Sequence, residues 1–254
     1  MSIWGKLIGG AAGMALGGPI GAILGIAAGH GVDKVSYNNL ANRNDIYNRS
    51  KKEEVFASSV IALSAKLAKA DGKVSKNEIL TFKKIFEFSK EDEIAVADIF
   101  NSAKNSVDGY EEIAKQIYEV FKNEKALLIE ILNALFSIAY ADGYLHPKEK
   151  IMLHNISKFF YFSDQEFDSI YNIFYNRGSK QKADHKSSYK ILGVSENLDI
   201  NDITLKYKKL VKEYHPDRLQ GMGLPKEFIE LANQKLVAIN KAYSEIKNEK
   251  TKKD

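Results

Sequence analysis

INDITLKYKKLVKEYHPDR, residues 200–218, combines an apolar stripe at helical spacing with a dense basic surface. The apolar side chains recur every three or four positions, which is typical of an amphipathic helix, and four lysines lie among the other positions. A second helical stripe begins after Pro225. We therefore predict two helices that pack antiparallel through their apolar faces, joined by a polar loop that starts at His215, Pro216 and Asp217. The first stripe consists of Ile203, Tyr207, Leu210, Val211 and Tyr214, and the second of Phe228, Leu231, Ala232, Leu236, Ile239, Ala242, Tyr243 and Ile246.

Four motifs in this region resemble the J-domain, the module of DnaJ-type co-chaperones. In chain order they are YKILGV (residues 189–194), YKKL (207–210), YHPDR (214–218) and INKAYSEI (239–246). Four motifs in the family's order and spacing are more specific than a lone His-Pro-Asp tripeptide. The resemblance implies that the chain docks on a DnaK-type chaperone and stimulates its ATP hydrolysis, and that the chain is not itself an enzyme. The contact residues that it implies are Tyr207, Lys208, Lys209, Lys212, His215, Pro216, Asp217 and Arg218.

The His-Pro-Asp tripeptide has other interpretations. As a catalytic dyad, His215 and Asp217 would need a cleft and a bound substrate, and the tip of a helical hairpin offers neither. As a simple connection, Pro216 ends one helix and Asp217 stabilises a turn. Nucleic-acid binding by the lysines is disfavoured because we assign Tyr207 and Tyr214 to the buried face, which leaves no aromatic side chain for base stacking among the basic ones. We therefore expect no nucleic-acid partner.

Residues 7–29, LIGGAAGMALGGPIGAILGIAAG, contain no charged side chain. At about 1.5 Å per residue, a helix of this length spans the roughly 30 Å hydrocarbon core of a bilayer. A flexible leader is the alternative, because glycine is a poor helix former in water and Pro19 lies within the run. In lipid the backbone must satisfy its hydrogen bonds internally, which favours a transmembrane helix. A four-residue glycine repeat would form a packing ridge on that helix and predicts a homodimer. The repeat consists of Gly9, Gly13, Gly17, Gly21, Gly25 and Gly29.

Basic residues are concentrated after this segment rather than before it. Only Lys6 precedes the segment, whereas Lys34, Arg43 and further basic residues follow before position 53. The positive-inside rule then predicts a single-pass protein with its N-terminus outside and its later domains in the cytoplasm. We interpret residues 33–52 as a juxtamembrane linker whose basic side chains face solvent or anionic lipid head groups.

The middle of the chain contains an internal repeat. AKLAKADGKVSKNEI (residues 65–79) resembles FSIAYADGYLHPKEK (136–150), and FEFSKED (86–92) resembles FYFSDQE (160–166). Such self-similarity predicts pseudo-symmetric pairs of helices. Ser75 with Glu78, and Ser163 with Glu166, have the spacing of capping boxes, and Pro147 suits a first helical position. We predict helices near residues 53–70, 76–88, 91–105, 110–122, 124–141, 147–161 and 164–176.

This repeat resembles the TerB-like helical domain. The order of an N-terminal membrane segment, a TerB-like domain and a C-terminal J-domain resembles the DjlA type of membrane-anchored DnaJ-like protein, as does GLPKEFIELANQK (residues 223–235) after the His-Pro-Asp motif. The resemblance implies a location in the bacterial inner membrane.

Four carboxylates recur in the two copies of the repeat: Asp71, Glu78, Asp142 and Glu149. DGKVSKNE resembles the second half of a calcium-binding EF-hand loop, but apolar and basic residues stand where the first carboxylates of such a loop must be. The two pairs could still meet around a divalent cation. The alternative is that Asp and Gly form the turn and Glu caps the following helix, and we favour this alternative.

The composition favours an all-α protein and excludes several classes. The 254 residues include no cysteine, which excludes disulfides, thiolate zinc sites and the zinc-binding region of the large DnaJ proteins. The net charge of +4 is too small to indicate general nucleic-acid affinity.

We expect no cofactor, and the sequence does not identify the client proteins. The competing interpretation is a metal-binding, signalling or scaffold membrane protein centred on the TerB-like domain. The predicted parts are a transmembrane helix (1–32), a linker (33–52), a TerB-like domain (53–177), a second linker (178–187) and a J-domain (188–250).

Overall fold

The computed structural model describes residues 49–70, 75–86, 109–178 and 185–251. All regular elements in these ranges are helices, which confirms the all-α prediction. The described ranges contain no helix that is long and apolar enough to cross a membrane. The predicted transmembrane segment, the first Ala-Asp-Gly turn and the predicted helix 91–105 lie outside the described residues.

The helices form two units. The amino-terminal unit contains α1 (Arg49–Ala70), α2 (Lys76–Phe86), α3 (Tyr110–Phe121), α4 (Lys125–Ala139), α5 (Pro147–Phe159) and α6 (Asp164–Gly178). The carboxy-terminal unit contains α7 (His185–Leu192), α8 (Ile200–Glu213), α9 (Pro216–Met222), a 3-10 turn (Lys226–Phe228) and α10 (Ile229–Thr251).

Helix α4 is the centre of the amino-terminal unit. Its sequence, KALLIEILNALFSIA, is apolar on all sides, and a helix of that kind is stable in water only when other helices surround it. It packs against α1, α2, α3, α5 and α6, and almost all of its side chains are buried. On one side, Phe136 stacks on Phe174 of α6 with 5.4 Å between ring centroids.

Capping boxes fix the starts of α2 and α6 in the amino-terminal unit. The Ser75 N–H donates to the Glu78 carboxylate (2.6 Å), and the Glu78 N–H donates to the Ser75 hydroxyl (3.0 Å). Ser163 and Glu166 make the same reciprocal pair, so both predicted boxes are confirmed. The two repeat copies are in contact, because the amide of Asn77 in the first copy donates to Asp142 in the turn of the second copy (2.6 Å).

The helices of the carboxy-terminal hairpin run antiparallel. Two hydrogen bonds show this direction, because the position in α10 moves toward its N-terminus as the position in α8 moves toward its C-terminus. Thr204 and Tyr243 share a hydrogen bond of 2.9 Å, and the Tyr207 hydroxyl donates to Asn240 (3.2 Å). The antiparallel packing of two amphipathic helices therefore agrees with the sequence prediction.

The connection between α8 and α10 differs from the predicted loop. Pro216–Met222 forms the short helix α9, and Gly223 ends it with a φ of 102°, a conformation that glycine adopts without strain. The side chains of Leu219, Leu224 and Phe228 are completely buried, so the connection is anchored in the core rather than exposed to solvent.

The two units pack against each other over a broad surface. Helices α9 and α10 contact α4, and α7 contacts α6. The Phe228 ring meets Phe56 of α1 edge to face, with centroids 4.8 Å apart. The Ser169 hydroxyl of α6 donates to the carbonyl of Ile191 (2.6 Å). The carboxy-terminal unit is thus held in one orientation on α4 and α6.

Candidate functional site

The His-Pro-Asp tripeptide forms the start of α9. Pro216 occupies the first helical turn, where its missing N–H needs no partner and its fixed φ suits a helix. His215 is the N-cap: its backbone is extended, and its Nδ1 accepts the Asp217 N–H at 3.3 Å. This bond requires the neutral tautomer with the proton on Nε2. The predicted polar loop therefore begins as a capped helix, which the buried Leu219 anchors in the core.

The polar side chains of this helix start face solvent. The His215 side chain is 51% exposed and that of Asp217 is 91% exposed, with 3.9 Å between Nδ1 and Oδ2. The Arg218 guanidinium donates to the carbonyl of Glu213 (3.3 Å), which ties the new helix to the end of α8. A partner could reach these groups without any rearrangement of the chain.

A basic groove of about 480 Å³ lies beside the tripeptide. It contains six of the eight predicted contact residues, since Pro216 and Lys209 do not line it, and it adds the apolar side chain of Val211, which sequence reasoning assigned to the core stripe. Lys208 and Lys212 are exposed. The lining residues are Tyr207, Lys208, Val211, Lys212, His215, Asp217 and Arg218.

Tyr207 links the groove to the core of the hairpin. Its ring stacks on Tyr243 with centroids 4.0 Å apart and planes 5° from parallel, and its hydroxyl donates to Asn240. We expected Tyr207 on the buried face. It is half-buried, so one side of the ring packs in the hairpin and the other forms a wall of the groove.

Lys209 lies on a different surface, a cleft of about 670 Å³ between the two units. Lys206, Lys209 and Leu210 of α8 form one wall, and residues of α4 and α6 form the opposite wall. Lys212 and Arg218 line both the cleft and the basic groove, so the two depressions lie side by side.

A buried ion pair lies at the base of this cleft. Lys235 of α10 is 5% exposed, and its Nζ is 3.9 Å from Oε1 of Glu130 on α4 and 3.7 Å from the centroid of the Tyr214 ring. Burial lowers the pKa of Lys235 to about 8, although Glu130 and Glu213 oppose the shift. Burial likewise raises the pKa of Glu130 against the influence of Lys235 and Asn133.

Sequence reasoning missed this pair, although each member interrupts an apolar pattern. Glu130 is the one acidic residue of α4, and Lys235 occupies a position of the α10 stripe between Ala232 and Ile239. A charge at a core position of one helix predicts an opposite charge on another helix, but sequence spacing does not identify the partner.

Three family models match the chain in succession. Residues 1–52 match the co-chaperone DjlA transmembrane domain, residues 57–172 match the tellurite resistance protein TerB, and residues 187–254 match the DnaJ domain. The co-chaperone protein DjlA of Vibrio vulnificus (strain CMCP6) is 30% identical over 231 residues, which cover 80% of this chain and 80% of that relative. This chain belongs to the DjlA family of co-chaperones.

Other members of the DjlA family match almost the whole chain. The co-chaperone protein DjlA of Photobacterium profundum is 29% identical over 281 residues, and that of Escherichia coli (strain K12) is 28% identical over 271 residues. Each match covers 98% of this chain and 99% of the relative. No solved structure matches. The chain is therefore a DnaJ-type co-chaperone with a TerB-like domain and a J-domain.

The remaining predicted residues of this DjlA-family chain lie elsewhere. The carboxylates of Glu78 and Glu149 accept the N–H groups of Ser75 and His146 in capping boxes. Asp142 accepts the Asn77 amide. Asp71 and the six glycines of the predicted membrane helix lie outside the described residues. In the described ranges no group of three His, Cys, Asp or Glu side chains is arranged to hold a metal ion.

Proposed function

We propose that this chain stimulates ATP hydrolysis by a cytoplasmic DnaK-type chaperone and directs that chaperone to membrane-proximal clients. The eight residues predicted from the sequence would be the contact set: Tyr207, Lys208, Lys209, Lys212, His215, Pro216, Asp217 and Arg218. The observation that carries the proposal is the exposed His215–Asp217 pair at the start of α9, directly beside the basic groove.

The geometry suits recognition of an acidic surface. Lysines around the groove attract such a surface over a distance and raise the association rate. The His215 cap and the anchor at Leu219 hold the tripeptide in one conformation before binding, which lowers the entropic cost of association. Val211 adds an apolar contact to the lining of the groove.

ATP hydrolysis would take place on the chaperone, and the chain would need no cofactor and would not be an enzyme. His215 and Asp217 are 3.9 Å apart on an open surface, whereas general acid–base catalysis requires a substrate held against the base. Their role in this proposal is contact with the partner protein.

We also propose that residues 7–29 cross the bacterial inner membrane once, with the N-terminus outside and the J-domain in the cytoplasm. The match of residues 1–52 to the co-chaperone DjlA transmembrane domain supports an anchor. The four-residue glycine repeat supports a homodimer in the bilayer. The domain boundaries 1–32, 33–52, 53–177, 178–187 and 188–250 stay a proposal.

The test is the steady-state ATPase rate of a DnaK-type chaperone, titrated with the full chain in detergent micelles. We expect saturable stimulation by the natural chain and by Lys190→Glu, a control on an exposed lysine outside the groove. Asp217→Asn, which keeps the size of the side chain, should remove the stimulation. Binding without stimulation by the natural chain would instead indicate a scaffold, and would contradict the proposal.

A further inference from the structure

The cleft between the TerB-like domain and the J-domain is strongly cationic. Six basic side chains and two carboxylates line it, and one of those carboxylates, Glu166, is already paired with Lys125 at 2.6 Å. The excess of positive charge therefore favours an anionic occupant. The basic side chains are Lys125 on the TerB-like domain and Lys206, Lys209, Lys212, Arg218 and Lys235 on the J-domain.

Lys235 gives this cleft an unused hydrogen-bond donor. The side chain is 95% buried, and the 3.9 Å between its Nζ and Glu130 is too long for a hydrogen bond. Among the described residues no acceptor bonds the ammonium, which carries three donors. A buried ammonium without hydrogen bonds is costly, and an anionic or carbonyl group in the cleft would remove that cost.

The cleft also has apolar walls, which distinguish a peptide from a simple anion. Most of its aliphatic lining residues are already buried in the core, but Ile191 and Leu210 of the J-domain are only half-buried at its surface. Inorganic phosphate would leave these side chains uncovered. A short acidic peptide with one or two apolar side chains would cover them and place its carboxylates against the lysines.

We propose that this cleft binds an acidic peptide segment, with apolar side chains, of the same DnaK-type chaperone that the J-domain engages. The inference rests on the proposed function and extends it, because it gives the TerB-like domain a direct part in partner binding. The position of the cleft beside the basic groove identifies the source of the peptide segment. Lys212 and Arg218 line both depressions, so a protein seated on His215 and Asp217 reaches the cleft without leaving the surface.

The experiment measures the dissociation constant of the full chain in detergent micelles for the ATP-bound chaperone. Lys206→Glu reverses a positive charge on the J-domain wall of the cleft, and Lys125→Ala removes one from the TerB-like wall. Each should raise the dissociation constant by about fivefold to tenfold, with a smaller effect at high salt. Lys247→Glu and Lys148→Ala are the matched controls, because both lysines are exposed and line neither depression, and both should bind like the natural chain.

A photoreactive residue at position 206 separates direct contact from long-range attraction. We expect it to cross-link to a chaperone segment that contains Asp or Glu beside apolar residues. Cross-links only to other segments, or none, would overturn the inference. This measurement also decides the matter if a charge variant fails to fold.

Failure of the inference and failure of the proposed function give different results. If the cleft variants bind normally while Asp217→Asn no longer stimulates hydrolysis, the cleft assignment is wrong and the proposed function stands. If the natural chain does not stimulate hydrolysis, the proposed function fails. The chaperone is then no longer the source of the acidic peptide segment. If the cleft variants lose binding only to anionic phospholipid vesicles, the cleft binds lipid head groups and the inference is overturned.

Discussion

At the scale of single residues, the unusual feature is a lysine and a glutamate buried together between two domains. Lys235 and Glu130 are 5% and 0% exposed, and their nearest charged atoms are 3.9 Å apart. Taking two charges out of water costs several kcal/mol per ion, and an imperfect geometry recovers only part of it. We therefore expect the pair to contribute more to the choice of docking orientation than to stability.

Replacing one partner or both should have opposite consequences. Glu130→Leu leaves the Lys235 ammonium buried without an anion, which should lower the free energy of unfolding at pH 7 by about 3 kcal/mol. Lys235→Met combined with Glu130→Leu should be neutral or more stable by about 1 kcal/mol or more. Urea unfolding of the single and double variants measures the coupling. Additive losses in the double variant would show that the two residues do not form a pair.

The lowered pKa of Lys235 predicts a rise in stability at alkaline pH. Its pKa is about 8 in the folded protein and near 10.5 when unfolded, so the unfolded chain binds more protons between these values. The stabilising contribution is complete above the unfolded pKa and is lost as the pH falls through about 8. The free energy of unfolding should therefore increase by about 2 kcal/mol from pH 8 to pH 10.

Two comparisons check this pH dependence. Lys235→Met should abolish the increase, because no ammonium remains to be neutralised. Above pH 10 the natural protein should lose stability again, since burial raises the pKa of Tyr214 well above 10 and only the unfolded chain then ionises. An increase that survives in Lys235→Met would refute the assignment to this residue.

At the scale of elements, the short helix α9 determines how the J-domain presents its motif. A seven-residue helix is unstable in isolation, so its conformation depends on tertiary contacts. Leu219 provides the main one, because it is completely buried and α9 packs against both α4 and α10. His215 and Asp217 therefore occupy positions that the core of the molecule determines.

Leu219→Ala should uncouple α9 from the core. The lost burial and the cavity should cost about 3 kcal/mol of stability. Stimulation of the chaperone should fall, although every side chain of the groove remains. Thermal unfolding and the ATPase rate, measured on the same preparation, test both parts. Full stimulation by a destabilised variant would show that the orientation of α9 is unimportant.

The carboxylates of the repeat are helix caps in this account. Glu149 accepts the His146 N–H at 3.0 Å, so Glu149→Ala should cost about 1 kcal/mol of stability. The loss should be the same with a chelator and with millimolar divalent cations. A cation that raises the melting temperature of the natural chain but not of Glu149→Ala would instead support the metal-binding alternative.

Elements with long periodic patterns could be predicted from the sequence, and α9 could not. Helices α8 and α10 have extended apolar stripes and appear where expected, as do α3 and α5. Residues 216–225 contain two prolines and two glycines, which are typical of a loop. Burial of Leu219, Leu224 and Phe228 against other helices overrides that local preference, and the sequence gives no direct view of those contacts.

At the scale of the whole molecule, the TerB-like domain serves as the support of the J-domain. Helices α4 and α6 hold α7, α9 and α10, while the basic groove remains open to solvent. The packing of the J-domain on the TerB-like domain therefore does not block the His-Pro-Asp motif. The J-domain resemblance predicts a contact set, six of whose residues line one groove, but it does not predict the cleft. The two walls of the cleft are far apart in the sequence, and each appears as an ordinary helix face.

The central claim is that the open motif at the start of α9 activates a DnaK-type chaperone. The most direct measurement is single-turnover hydrolysis of ATP by that chaperone, with the full chain or with His215→Gln. Loss of the Nδ1 cap in His215→Gln should cost about 1 kcal/mol of stability, so both proteins should be folded at the assay temperature. We expect a large acceleration by the natural chain and none by His215→Gln. Equal rates with the two proteins would contradict it.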